Sequence, residues 1–252
     1  MRRLRIGDRL LRIRDEGEGE KTPVVFIHGA GSSSVVWMDA VRRISPRRRV
    51  IAPDLPGHGQ SDRWHPSPEV SIAMYADAVG TMCAHLKIPK IILVGHSMGG
   101  LVALHAAAAW PERVEALVLA GSGAKLTIAP KVYERVRGPD FNEWLAKVSW
   151  SPETPRELVE RWQGISVTAE SEITEADFRA CERFDGRKLL ERVKARTLII
   201  GGADDLMTPP KLSHELGAIA GSRVCILPRA GHWMMLEQAD AFFAELDPFL
   251  AG

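Results

Sequence analysis

Ile91-Ile92-Leu93-Val94-Gly95-His96-Ser97-Met98-Gly99-Gly100, continuing into Leu101-Val102-Ala103-Leu104, carries three features in a row. An apolar strand runs into a glycine-rich turn around a single serine, and the turn opens an Ala- and Leu-rich helix. A strand–turn–helix of this kind is the setting in which G-x-S-x-G places a serine hydroxyl at the top of a sheet. Gly95 and Gly99, with Gly100, fit a turn where the strand and helix backbones crowd each other. The spacing therefore singles out Ser97 as a candidate nucleophile, held in a strained backbone conformation.

The same rhythm extends outward in both directions. Val24–Ile27 runs into His28-Gly29-Ala30-Gly31, and Arg49–Ala52 runs into Pro53-Asp54-Leu55-Pro56-Gly57. Val114–Leu119 runs into Ala120-Gly121-Ser122, Thr197–Ile200 into Gly201-Gly202, and Val224–Leu227 into Pro228. Short β-branched runs without polar alternation mark strands covered on both faces, as in a parallel sheet. Helical patterns over 70–86, 99–110, 209–219 and 233–250 lie between them. The predicted fold is α/β, with a mostly parallel central sheet flanked by helices and its functional loops at the carboxyl ends of the strands. Alternating Arg and apolar residues over 2–14 predict two short leading strands.

About 75 residues separate the strand ending near Leu119 from the one starting near Thr197, far beyond the 10–15 that a crossover needs. That stretch is rich in helix formers and aromatics, including Phe141, Trp144, Trp150, Trp162 and Phe178. Residues 123–190 are therefore expected to form an inserted helical cap, and 1–122 with 191–252 the core domain.

Composition bounds the partners. Lys and Arg number 33 against 32 Asp and Glu, a formal charge of +1. Neither nucleic acid nor an anionic membrane is expected as a partner. No apolar stretch approaches the roughly 18 residues of a membrane span, and no export signal is visible. The three cysteines, Cys83, Cys181 and Cys225, are far apart, so a reducing cytoplasm is expected. No His/Asp/Glu group has metal-ligand spacing, so neither a metal nor a cofactor is expected.

His28-Gly29, Asp54-Leu55-Pro56-Gly57-His58-Gly59-Gln60-Ser61 and Gly95-His96-Ser97-Met98-Gly99 together resemble the loop motifs of the α/β-hydrolase superfamily. The resemblance covers nearly the whole chain outside 123–190. Within that superfamily the chain is most similar to small capped carboxylesterases, including the pimeloyl-carrier-protein methyl esterase type. Several site assignments follow. A serine hydroxyl needs an imidazole to take its proton. His232, after the last predicted strand, satisfies the Ser…Asp…His chain order of the fold. His96 is expected to point away from the serine, and His28 and His58 to hold loops. His65, His85, His105 and His214 read as surface or helix residues.

Two adjacent carboxylates, Asp204 and Asp205, follow the penultimate strand. The resemblance favours Asp205, because the family places Gly three residues before the acid and Pro four after it, as Gly202 and Pro209 stand here. An acid after the strand before the cap is closed off by Ala120-Gly121-Ser122-Gly123. Asp54 reads as stabilising its own turn. The oxyanion donors are expected to be the Met98 backbone N–H and, by resemblance, that of Ala30. Trp37, Trp233 and Met234 are candidates to line an apolar acyl pocket, with ordinary core as the competing reading.

The expected substrate is a small-molecule ester with an apolar acyl group. Relatives with the same triad also cleave C–C bonds, lactones or amides, form peracids, or serve as small-molecule receptors. Haloalkane and epoxide chemistry is disfavoured, since those relatives carry Asp where Ser97 stands. A carrier-protein substrate would favour a basic cap face. Residues 123–194 hold thirteen Lys or Arg and thirteen Asp or Glu, which gives such a partner no support.

Overall fold

The computed structural model describes residues 1–64 and 69–252; His65 lies outside the described residues. β1 (Arg2–Ile6) and β2 (Arg9–Glu16) form the leading hairpin. They are followed by β3 (Val24–Ile27), β4 (Val50–Pro53), β5 (Ile91–His96), β6 (Val114–Ala120), β7 (Arg196–Gly202) and β8 (Arg223–Leu227). Among the described residues these make one sheet in the order β1-β2-β4-β3-β5-β6-β7-β8. β2 pairs antiparallel with β1 and β4, and from β4 to β8 every pairing is parallel.

Alternate residues of the central strands feed two separate cores, as the period-2 geometry of a pleated strand dictates. Val25, Ile27, Leu93, Leu117 and Ile199 enter one core. Val24, Phe26, Val94, Val118 and Ile200 enter the other. On the first face lie α2 (Ile72–His85) and α3 (Met98–Ala109). α3 is buried nearly all round, which its run of Ala, Gly, Leu and Val permits. On the second face lie α1 (Met38–Ile44), α9 (Met234–Glu237) and α10 (Ala239–Ala251). Phe242 there is fully enclosed, with its ring 6.4 Å from Trp37 and 5.5 Å from Phe243.

Between β6 and β7 the chain forms α4 (Pro130–Arg135), α5 (Phe141–Ser149), α6 (Arg156–Gln163) and α7 (Ser171–Arg183), then a 3-10 turn over Arg187–Arg192. α8 (Pro210–Leu216) joins β7 to β8. The ends of the insertion are tied together where Gly186 N–H donates to Ala124 O (2.8 Å) and the backbones of Lys125 and Asp185 pair in an isolated antiparallel β-bridge. Its helices reach the loops after β3 and β8: Thr168 N–H donates to Gly31 O, and His232 N–H donates to Ser149 O. The inserted segment thus touches loops at the carboxyl ends of β3 and β8.

Two expectations need correction. The final helical pattern, 233–250, is two helices broken at Gln238 (φ −126°, ψ 52°). The break has a local cause: Glu237 turns back onto the amides of Gly231 and Trp233, and Gln238 Nε2 donates to Arg229 O. Trp37 is core rather than pocket lining. It closes a 3-10 turn over Ser34–Trp37 that turns its ring inward onto Phe26 (4.8 Å), beneath the sheet.

Because α10 is held to the sheet by its aromatic face, Phe242→Ala should cost about 3–5 kcal/mol of unfolding free energy. Denaturant titration of variant and wild type checks this; an unchanged midpoint would show that α10 does not carry the second core.

Candidate active site

The parallel register decides which loops meet. Ile27 is opposite Gly95, His96 opposite Ala120, and Ala120 opposite Ile200. The loops after β3, β5, β6 and β7 therefore leave the sheet at one level. Ser97 follows β5 directly, at φ 55° and ψ −121°. A non-glycine residue in that region carries a backbone cost of about 1–3 kcal/mol. The conformation is fixed on every side: Ser97 N–H donates to Ala120 O (3.0 Å), while Ser97 O accepts from Gly100 N–H (2.9 Å) and Ser122 Oγ (2.8 Å). Helix α3 starts immediately afterwards, and its Gly99 passes so close to Ile27 O and His28 O that no Cβ fits there. Only glycine lets the helix approach β3 this closely.

The loop after β3 lies against the serine. A Cβ on Gly29 would stand 3.0 Å from Ser97 Cβ. Ala30 occupies the tip of a turn closed by Ser32 N–H donating to Gly29 O (3.2 Å). His28 locks this loop to the next one: its Nδ1–H donates to Gly29 O (2.8 Å) and its Nε2 accepts from Leu55 N–H (3.0 Å). Those roles require a neutral ring, and burial, aided by nearby His58, pushes its pKa down to about 3. Asp54 accepts from Ser34 N–H (2.8 Å) and Gln60 N–H (3.3 Å), bracing the turn that it begins. Met98, as the first residue of α3, has an amide that helix geometry leaves without an intrahelical acceptor.

His232 is held through backbone and ring alike. Its N–H donates to Ser149 O (2.7 Å), its carbonyl accepts from His96 Nε2–H (2.8 Å), and its Nδ1 lies 2.9 Å from Asp205 Oδ2. His96, beside the serine in sequence, thus fastens the histidine loop instead of facing the hydroxyl. Burial, with the neighbouring His232, pushes the His96 pKa down to about 3, keeping it neutral. With Nδ1–H donating to Asp205, the Nε2 of His232 presents a lone pair.

Asp205 is nearly inaccessible. Oδ1 accepts from Met207 N–H and Thr208 N–H, both at 2.8 Å, and Oδ2 accepts from Thr208 Oγ1 (2.6 Å) as well as from the ring. Burial alone would raise its pKa. The His232 ring and these donors outweigh that and hold the carboxyl below the usual range. Asp204 faces elsewhere, accepting from Ser151 Oγ (2.6 Å) on the inserted segment. The structure therefore brings His232 to Asp205 and not to Asp204.

Trp233 is buried, its ring 4.9 Å from His96 and 6.3 Å from Trp150, with Nε1–H donating to Ser149 Oγ (3.2 Å). It lines a crevice of about 10 Å³ with Leu145, Gln163 and Val167. Met234 is fully buried. A Cβ on Gly121 would meet both Met234 Cε (3.1 Å) and His232 Nδ1 (3.4 Å), which places Met234 beside the ring.

Two residues escaped the sequence reading. Thr208 supplies two of the four donors to Asp205; the short Asp-x-x-Thr spacing, which favours local side-chain-to-backbone bonding, was the available signal. Glu237 accepts from Gly231 N–H (3.1 Å) and Trp233 N–H (3.0 Å) on either side of His232, and from Ser151 N–H (2.8 Å) and Thr154 Oγ1 (2.6 Å) on the insertion. Nothing in its sequence context marks it.

Residues 22–239 match the alpha/beta hydrolase fold family. The chain is 30% identical over 246 residues to a pimeloyl-(acyl-carrier protein) methyl ester esterase of Neisseria meningitidis serogroup C, covering 91% of this chain and 93% of that protein. It is 32% identical over 270 residues to the 2-hydroxy-6-oxononadienedioate/2-hydroxy-6-oxononatrienedioate hydrolase of Escherichia coli K12, covering 96% and 91%. In structure it is similar to a thermophilic esterase from Thermogutta terrifontis, with a TM-score of 0.89 and 26% identity over 100% of this chain and 98% of that one.

Removing the acceptor from the His232 ring should matter far more than removing its neighbour. Asp205→Asn should lower ester turnover on the order of 10⁴-fold, and Asp204→Asn by less than about tenfold; steady-state kinetics that reversed the order would transfer the role to Asp204. Asp205 also makes stability depend on pH. Its folded pKa is depressed, so its contribution is complete above the ordinary value of about 3.9 and is lost as pH falls through the lower folded value. Thermal melts between neutral and acid pH should show an acid decline that is shallower in Asp205→Asn, and equal declines would contradict the buried, fully bonded carboxylate.

Proposed function

Because the chain belongs to the alpha/beta hydrolase fold family, we propose that it cleaves a carboxylic ester through an acyl-enzyme, with Ser97 as nucleophile and His232 as base. The observation that carries this reading is the Asp205–His232 pair, 2.9 Å apart and buried, on loops at the same end of the sheet as the strained Ser97. Ser97 Oγ attacks the acyl carbon while His232 Nε2 takes its proton. The oxyanion that forms accepts from the backbone N–H groups of Ala30 and Met98, donors fixed in place before the reaction begins. The tetrahedral intermediate collapses, and the alcohol leaves with the proton from His232. Water then gives a proton to His232 and attacks the acyl-enzyme, and a second collapse releases the carboxylic acid and restores Ser97. Asp205 holds the ring in the required tautomer and stabilises the charge it carries in each half-reaction.

The inserted helices serve as a cap over this site, with Trp233 and Met234 forming its apolar side. A groove of about 390 Å³ borders Phe141, Asn142, Val167, Thr168 and Thr174, and its Val167 and Thr174 touch the loop after β3. One feature favours a small-molecule ester over a carrier-protein ester such as the one named for the Neisseria relative. The opposite charges of the insertion balance, and no predominantly basic surface follows from its composition.

Hydrolysis of p-nitrophenyl esters from acetate to octanoate tests the reading. Wild type should turn over repeatedly, and Ser97→Ala should lose at least about 10⁴-fold in kcat while keeping its fold by circular dichroism. Undiminished turnover by Ser97→Ala would refute the nucleophile, and a single burst without turnover in the wild type would favour a receptor over an enzyme.

A further inference from the structure

Asp177, in α7 of the insertion, has no part in the chemistry above and is wholly buried. Three donors from three other parts of the chain converge on it. Oδ2 accepts from Gly31 N–H (2.8 Å) and from His58 Nε2–H (2.7 Å), and Oδ1 accepts from Tyr75 Oη–H (2.6 Å). Gly31 belongs to the loop after β3, His58 to the turn after β4, and Tyr75 to α2.

The protonation states follow from the partners. His58 Nδ1 lies 3.2 Å from Pro56 O and Nε2 2.7 Å from Asp177 Oδ2, so each ring nitrogen faces an oxygen, an arrangement that favours the doubly protonated ring. Burial alone would lower its pKa; Asp177, with smaller contributions from Pro56 O and Asp54, more than offsets this and raises it. The other rings facing it are His28 at 4.9 Å and Tyr75 at 5.9 Å. His28 is neutral. Burial and the adjoining carboxylate push the Tyr75 phenol well up, so Tyr75 remains a donor.

Gly31 is gripped from both sides. While its N–H donates to Asp177, its carbonyl accepts from Thr168 N–H and Ala169 N–H, both at 2.9 Å. It sits at φ 65°, and a Cβ there would stand 2.7 Å from Thr174 Oγ1 and 3.0 Å from Val167 Cγ1. Two peptide planes meet at the neighbouring Ala30. The plane before it is fixed to the core through Gly29 O, which accepts from Ser32 N–H and His28 Nδ1–H. The plane after it is fixed by Asp177, through Gly31 N–H. The Ala30 N–H lies in the first of these planes, and the carboxylate of the inserted helices holds the second, so Ala30 is clamped between a plane tied to the core and a plane tied to Asp177.

We infer that Asp177 is a positioning residue: by anchoring Gly31 it keeps the loop that carries the Ala30 backbone N–H seated beside Ser97, so that the insertion completes the catalytic core as well as covering it. This rests on the esterase reading, in which Ala30 is an oxyanion donor. A misdirected donor weakens an interaction made only in the transition state, so the loss falls on kcat and spares KM.

The test compares wild type, Asp177→Ala, Asp177→Asn, Tyr75→Phe and Ser97→Ala on p-nitrophenyl butyrate, at a temperature where circular dichroism shows each to be folded. Tyr75→Phe removes a bond to the same carboxylate without touching the loop, and so reports a merely structural role. Asp177→Ala should lower kcat roughly 10- to 100-fold with KM within about threefold of wild type. Asp177→Asn, which keeps an acceptor of the same shape but loses the charge assistance, should fall between the two. Tyr75→Phe should keep kcat within about threefold even where its melting temperature drops as far. Asp177→Ala with kcat within about threefold of wild type, or an equal fall in Asp177→Ala and Tyr75→Phe, overturns the inference. If Asp177→Ala does not fold, Asp177→Asn decides, and kcat unchanged there overturns it too. Should wild type fail to turn over the ester, or Ser97→Ala match it, the esterase reading falls and this inference with it. Loss of turnover confined to Ser97→Ala leaves that reading standing and defeats the inference alone.

Discussion

A single backbone constraint organises this molecule: Ser97 is a side-chain-bearing residue held at φ 55° between the last residue of a buried strand and the first turn of a buried helix. The conformation is costly in isolation. It persists because its amide and carbonyl are committed to Ala120, Gly100 and Ser122, and because α3 carries Gly99 where it passes β3. Relaxing the bend would mean separating α3 from the sheet, and α3 is enclosed almost all round. The strain of one residue is thereby set against the packing of a whole core, and the proposed nucleophile is held rigidly.

The same logic places the remaining groups. Parallel register puts the loops after β3, β5, β6 and β7 at one level, and each loop is then tied to another one. His96 fastens the His232 carbonyl, His28 fastens Gly29 to Leu55, and Asp205 gathers its own turn before it takes up the His232 ring. Of the buried histidines, His28 and His96 serve as neutral hydrogen-bonding braces, with pKa values near 3, whereas Asp177 raises the pKa of His58 against its burial. One residue type is thus shifted in opposite directions within a short distance by whether an acceptor faces one ring nitrogen or both.

Two carboxylates, Asp177 wholly buried and Glu237 half-buried, join the inserted helices to the core. Glu237 links residues 151 and 154 to the backbone around His232, and Asp177 in α7 holds the loop that carries Ala30. Neither was legible in the sequence. Asp177 lies in Ser-Glu-Ile-Thr-Glu-Ala-Asp-Phe, where an acidic residue reads as part of a solvated helix face, and its partners are 102 to 146 residues away. By contrast, the strands and the bend at Ser97 were legible, because local patterns specify them: apolar runs without alternation and glycines at a tight turn. Local pattern left Asp204 and Asp205 side by side; the family resemblance favoured Asp205, the one that the structure pairs with His232. Trp37 shows where such patterns stop. An aromatic just after a glycine-rich loop reads alike as pocket or core, and only the 3-10 turn that carries it directs the ring onto Phe26.

The central claim is that Ser97 is the activated hydroxyl and His232 the group that activates it. Reaction with an uncharged fluorophosphonate, followed by peptide mass spectrometry, tests this without reference to any substrate. The account predicts one adduct per chain, located on Ser97, with labelling slowed on the order of 10³-fold or more in His232→Ala. An adduct on another residue, or labelling of Ser97 at an unchanged rate without His232, would contradict it.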